Sequence, residues 1–280
     1  MRTQRRIRKT CWFLSVSCKR DEGSSSSSIV CLLRERVIFI LEVISMDLEQ
    51  RRIWNKNHKE LTETILNPSE HVRVIELFLN HHAWLYSSRM SNASINTLED
   101  FVLESLEESV LRKYPVNAPD TKNSIAWHLW HVARVEDMTM NILVADRQQV
   151  LHSGHWLQKM NIRFPHSGNS MSDDDIAELS SVINIDSLLE YRIAVGKQTR
   201  QIISSLQPGE FRNKVQDCRI KKLFDENAIL QEASGIADYW SKKTIAGLVL
   251  MPATRHNFLH LNKCARIKVK LQKEMRKSYR

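Results

Sequence analysis

The sequence predicts an all-α protein, an antiparallel four-helix bundle with additional short helices. Three observations lead there. Glycine and proline are scarce, 7 and 6 in 280 residues, which argues against the turn-rich connections of sandwiches and barrels. Few segments alternate apolar and polar residues as half-buried strands do. Four long stretches instead carry apolar residues at helical spacing, separated by sizeable connections, and that pattern suits helices packed on one another.

Taken in order, residues 47–65 read as a polar helix. Pro68-Ser-Glu70 is a helix entry, with proline and an acid in the first turn. The first core helix then covers 69–88 through Val72, Val74, Ile75, Leu77, Phe78, Ala83 and Leu85. Asn92–Asn96 is a break. Thr97-Leu-Glu-Asp100 reads as a cap for an amphipathic helix to about Lys113, and Tyr114–Lys122, with two prolines, as a loop. Asn123 or Ser124 caps a second long helix to about Asp146. After a loop-rich stretch with Gly154, Pro165 and Gly168, Ser172-Asp-Asp-Asp175 caps a short helix. Asp186–Leu206 is the third long helix, ended by Pro208-Gly209. Residues 210–234 form short helices or turns, and Ile236–Lys270 is the last long helix, kinked near Pro252.

Residues 1–46 differ from the rest in composition. They open on Arg2, Arg5, Arg6, Arg8 and Lys9 and contain the serine run Ser24–Ser28. Neither of their apolar runs approaches the ~20 residues of a membrane span, and no small-residue cleavage site stands out. The expectation is a non-native or disordered extension, with Met46 as the natural start and 47–280 as the domain. The net charge of +9 sits at the ends, +5 on residues 1–46 and +7 on 263–280, leaving −3 on the body. A mildly acidic body argues against nucleic acid as a partner, and the basic tail reads as the solvated end of the last helix. Of five cysteines only Cys218 and Cys264 lie in the body, with no CxxC, so a disulfide framework is not expected and a cytoplasmic location is. No glycine-rich nucleotide or phosphate loop, serine-hydrolase elbow or repeated ExxH pair is present.

The chemistry-bearing candidates are histidines. His256 and His260 are four apart, which on a helix differs by about 40° around the axis, so both rings project from one face. They stand in an apolar stretch with Leu248, Val249, Phe258, Leu259 and Leu261. Inward-facing imidazoles there need partners, and a divalent metal supplies one. The plain alternative places His256 at the surface beside Arg255 and His260 against a carbonyl. On the second long helix, with Ile125 at 0°, His128 falls at about 300° and His131 at about 240°, and periodicity does not choose between them. Trp127 and Trp130 read as packing, and Arg134, Glu136 and Asp137 as a solvated or ion-paired edge, with one carboxylate supporting a metal ligand from behind as the lesser alternative. His81 and His82 are adjacent, so no more than one of them can face a common site.

Two stretches carry a resemblance. Ser124-Ile-Ala-Trp-His-Leu-Trp-His-Val-Ala-Arg-Val-Glu-Asp137 and Met251-Pro-Ala-Thr-Arg-His-Asn-Phe-Leu-His-Leu-Asn262 resemble the second-helix and last-helix signatures of the DinB/YfiT-like superfamily, over about residues 69–270. The resemblance implies a four-helix bundle of that type with a metal held by three histidines. It selects His131, ahead of Val132-Ala133 and Glu136, to join His256 and His260, and leaves His128 behind or beside the site. It also implies a homodimer, a divalent ion such as zinc or nickel, and a small-molecule substrate. Members include S-transferases using low-molecular-weight thiols such as bacillithiol or mycothiol, isomerases, hydrolases and proteins without a known reaction. A fold-level likeness does not fix the reaction. The expected function is therefore a metal-dependent thiol transferase or hydrolase, with a non-catalytic, metal-stabilised stress-response or binding module as the alternative. No side chain of the chain is singled out as catalytic, and no membrane association is expected.

Overall fold

The computed structural model describes residues 49–91 and 96–278. The readings of 1–46 and of most of the Asn92–Asn96 break lie outside them. The chain divides into two compact units, 1–52 and 53–280. Of the first, only 49–52 are described, and they are helical. The described residues are all-α, without strands, and two isolated bridges, Ala118–Thr121 and Lys214–Thr244, tie loops together. No described helix is long and apolar enough to cross a membrane.

Five helices carry the second unit: α1 (49–64, of which 53–64 belong to this unit), α2 (His71–Ala83), α3 (Ile125–Met138), α4 (Ile185–Ser205) and α5 (Asn257–Ser278). α1 is more than the polar helix expected. Trp54, His58, Leu61 and Ile65 recur at helical spacing and are buried. Pro68–Glu70 forms a single 3₁₀ turn entered from Asn67, whose side chain accepts from the Ser69 N–H. α2 follows and ends at Ala83, earlier than expected. Thr97 and Asp100 form the anticipated reciprocal cap. The helix after it stops at Leu103, because Ser105 adopts a left-handed backbone (φ 51°), and Glu108–Arg112 is a separate helix.

Ser124 caps α3 by accepting from the Trp127 N–H. Beyond Met138 the chain continues as a wide π-helical turn, Thr139–Val144, with Ala145 N–H donating to Met140 five residues back. Every residue of α3 is buried, since it packs against both α4 and α5. Ser172 and Asp175 cap Asp173–Val182 reciprocally, and Asn184 caps α4. The long last helix is in fact interrupted. Ser234–Ser241 ends before Thr244, whose hydroxyl caps Ile245–Leu250. Pro252 has no N–H to offer an α-helical ladder, and Met251–His256 runs as a second wide turn before α5 begins. α2 packs against α4 and this turn. Two apolar cores result. One gathers Trp130, Leu129, Tyr191 and Phe258, the other Phe78, Met138, Leu143, Ile203 and Leu248.

Candidate metal centre

α3 meets the second wide turn and α5 at three imidazoles. His131 lies midway along α3, His256 closes the wide turn, and His260 sits one turn into α5. Each offers a ring nitrogen, and these nitrogens all lie within 4.8 Å of one another. Ring centroids are 4.4 Å apart for His256 and His260, and 5.0 Å from His131 to each. His131 is buried, while His256 and His260 are half-buried, so the cluster is closed on the α3 side. Trp127 stacks on His131 at 4.5 Å, nearly parallel to it.

The electrostatics suit metal ligation. Burial pushes His131 down to about 4, opposed by its bond to the Ser167 carbonyl and aided by Lys263. Burial and then the neighbouring imidazoles hold His256 and His260 well below the ordinary histidine range. All three rings are therefore neutral near pH 7, the form that donates a lone pair to a metal. Their outer nitrogens are largely accounted for. His131 Nδ1 donates to Ser167 O at 2.6 Å, which leaves Nε2 as its lone-pair nitrogen. His260 Nδ1 lies 2.9 Å from His128 Nδ1, a contact in which either ring can donate. His256 Nδ1 is buried without a hydrogen-bond partner. An unmet buried polar atom costs about 1–3 kcal/mol, and a cation coordinated by Nδ1 itself would remove that cost. The donor set and the orphaned nitrogen fit a divalent first-row ion.

All three expected residues thus come together. His128, left open by the helical wheel, stands behind His260 and contacts Thr121 Oγ1 through Nε2 at 3.1 Å. His81 and His82 are both buried and neither joins the trio. His81 stacks on Trp54 at 4.1 Å, and His82 Nε2 pairs with Glu136 at 2.9 Å.

Of the two readings of Arg134, Glu136 and Asp137, ion pairing holds and solvation does not: Arg134 pairs with Asp137, and all three residues are 0% exposed. Arg134 donates to Asp137, Tyr191 Oη, Gln149 and the Pro165 carbonyl. Asp137 accepts from the Val150 and Leu151 N–H groups. These bonds hold the loop that carries Ser167 against α3. Glu136 accepts from Asn257 Nδ2 at 2.6 Å, directly beside His256. Ser167, Asn257 and Thr121 were not anticipated, because no spacing in the sequence links them to the histidines.

A sequence profile of the DinB superfamily matches residues 95–262, a stretch that includes all three histidines. No curated protein matches the chain. Among solved structures, the conserved protein of locus from Enterococcus faecalis is similar at 12% identity, covering 71% of this chain and 96% of that one, with a TM-score of 0.44.

Proposed function

The chain belongs to the DinB superfamily, and from that premise we propose that His131, His256 and His260 hold one divalent metal ion, zinc or nickel foremost. The observation that carries this reading is the convergence of three neutral imidazole nitrogens within 4.8 Å, from α3 on one side and the wide turn and α5 on the other. When bound, such an ion acts as a Lewis acid and lowers the pKa of a thiol or water at its open position.

The finer reading is a transferase that uses a low-molecular-weight thiol, or a hydrolase working on the same centre. The described thiol nearest the trio in sequence supports an external nucleophile. Cys264, one turn beyond His260, is buried and pushed up to about 12, so it supplies no thiolate near pH 7. In this reading Ser167 O fixes the tautomer of His131, Trp127 shields that ring from water, and the half-buried rings of α5 border the approach for substrate. A non-catalytic role is the second reading. A metal joining α3 to α5 ties together two segments more than a hundred residues apart in sequence, which by itself stabilises the fold.

The test is elemental analysis of the full chain, wild type beside His131→Ala and His256→Ala, followed by thiol-transfer assays. The expected result is about one metal per chain in wild type, lost in both variants. Stoichiometric metal retained in a His256→Ala/His260→Ala double variant refutes the assignment. Raised thermal stability with metal but no thiol-dependent turnover selects the non-catalytic reading.

A further inference from the structure

The contact between His128 and His260 has a chemical consequence. Their Nδ1 atoms are 2.9 Å apart, so one proton must lie between them, and one ring donates while the other accepts. At the far side of His128, Nε2 faces Thr121 Oγ1 at 3.1 Å, and a hydroxyl can play either role. Two arrangements satisfy every contact. In one, His128 donates to His260, whose own proton then sits on Nε2 and occupies the lone pair a metal needs. In the other, His260 donates from Nδ1, His128 accepts, and His128 Nε2–H donates to Thr121. Each ring carries one proton in both, so no charge is gained or lost.

We propose that His128 is a positioning residue: its Nδ1 accepts a hydrogen bond from His260 Nδ1–H, its Nε2–H donates one to Thr121 Oγ1, and His260 Nε2 is thereby held as a free lone pair for the metal. This rests on reading the histidine trio as a metal site.

Metal ligation through His260 Nε2 selects the second arrangement, since only that one leaves this nitrogen unprotonated, and the surroundings hold its far end in place. Thr121 is a fixed terminus rather than a mobile loop residue. Its hydroxyl already accepts from the Asn123 N–H at 3.1 Å. The neighbouring Asp120 is tied to α5 by Arg266 at 2.7 Å, and its carbonyl accepts from Lys263. Lys270 reaches the Asn117 carbonyl of the same segment. Basic residues of the last helix thus clamp the 117–121 segment onto the helix that carries His260. His128 itself is 1% exposed, so water does not compete for its nitrogens. Outer hydrogen bonds of this kind fix the tautomer and orientation of ligating histidines.

The experiment uses the full chain labelled with ¹⁵N-histidine. In metal-free protein, a through-hydrogen-bond nitrogen–nitrogen coupling between His128 Nδ1 and His260 Nδ1 is expected. After zinc is added, His128 is expected as the Nε2–H tautomer. Absence of the coupling, or an Nδ1–H tautomer of His128 in the zinc-bound protein, overturns the proposal without reference to any variant.

Two variants of similar size extend the test. His128→Leu removes the acceptor and should weaken zinc about 10–100-fold. His128→Asn keeps an oxygen near the Nδ1 position and should recover most of that loss. Equal zinc affinity in wild type and His128→Leu overturns the positioning role while the metal reading stands. No zinc in wild type, with the coupling still seen, removes the metal reading and this proposal with it.

Discussion

Gly168 stands one residue after the Ser167 carbonyl that receives the His131 proton, and its backbone lies at φ +85°. Replacing it by alanine should destabilise the protein through two separable effects. A side chain in the left-handed region costs about 1–2 kcal/mol. The added Cβ would also meet Cζ3 of Trp130 at 2.5 Å, and that indole is wholly buried in the core and cannot swing away. Forcing an extra carbon into packed surroundings costs about 1–3 kcal/mol. The sum is about 2–5 kcal/mol. Gly209 separates the two. Its φ is +94°, but nothing lies within 4 Å of a Cβ placed there, so Gly209→Ala carries the backbone cost alone. Urea unfolding of wild type and both variants should place Gly168→Ala below Gly209→Ala by about 1–3 kcal/mol. Zinc affinity should fall in Gly168→Ala only, because the Ser167 carbonyl shifts with its neighbour. Equal destabilisation of the two variants, or unchanged zinc affinity in Gly168→Ala, refutes the reasoning.

Three further outcomes can be checked with the same unfolding and zinc titrations. Trp54 stacks on Phe258 at 3.7 Å and on His81, so Trp54→Ala should cost about 3–5 kcal/mol, and a loss under about 1 kcal/mol would mean α1 contributes little to the core. Glu136→Ala leaves His82 Nε2 without its buried partner, at about 1–3 kcal/mol, and Asn257 Nδ2 with only the Pro252 carbonyl, and should weaken zinc because Asn257 adjoins His256. Wild-type stability with intact zinc binding would count against that link. His81 is pushed down to about 3 by burial, then by His58, His82 and Arg255. The unfolded chain, with a histidine near 6.5, binds the extra proton between those values. Stability from this group is therefore complete above about pH 6.5 and lost as pH falls towards 3, by up to about 1.4 kcal/mol per pH unit. His81→Phe should flatten the pH profile by about that slope, and an unchanged slope would show that His81 already charges in the folded state.

Local chemistry was the legible part of the sequence. Thr97, Ser124 and Ser172 cap helices as their side chains dictate, and the four-residue spacing of His256 and His260 survives the wide turn that separates their backbones in kind. What lay hidden has physical causes. The helical wheel did not choose between His128 and His131 because α3 is buried on every side. An amphipathic criterion has no outward face to measure there, and only the resemblance selected His131. The Trp54–His58–Leu61–Ile65 stripe went unseen because a histidine and charged neighbours mask its periodicity. The pairing of Arg134 with Asp137 was legible in the sequence but the burial of Arg134, Glu136 and Asp137 was not, since their partners Tyr191, Pro165, His82 and Asn257 are distant along the chain. The interruption before Thr244 has a signal in the sequence, the polar stretch Ser241-Lys-Lys-Thr244 with a capping hydroxyl at its end.

The three candidate ligands are held in different ways. His131 is set by a loop carbonyl, and that loop is clamped through Arg134 to the helix carrying the histidine. His260 is set by His128, backed by a segment tied to its own helix. His256 has no hydrogen bond on Nδ1 and depends on the backbone of the wide turn, where Thr254 donates to the Leu250 carbonyl and Asn257 is drawn to Glu136. Two rings are thus aligned before any ion arrives, and their neutrality lets them stand together without charge repulsion. The third is placed by packing alone. A site built this way spends its rigidity on two ligands and leaves the third able to settle onto ions of slightly different size, which agrees with a donor set that does not by itself discriminate zinc from nickel.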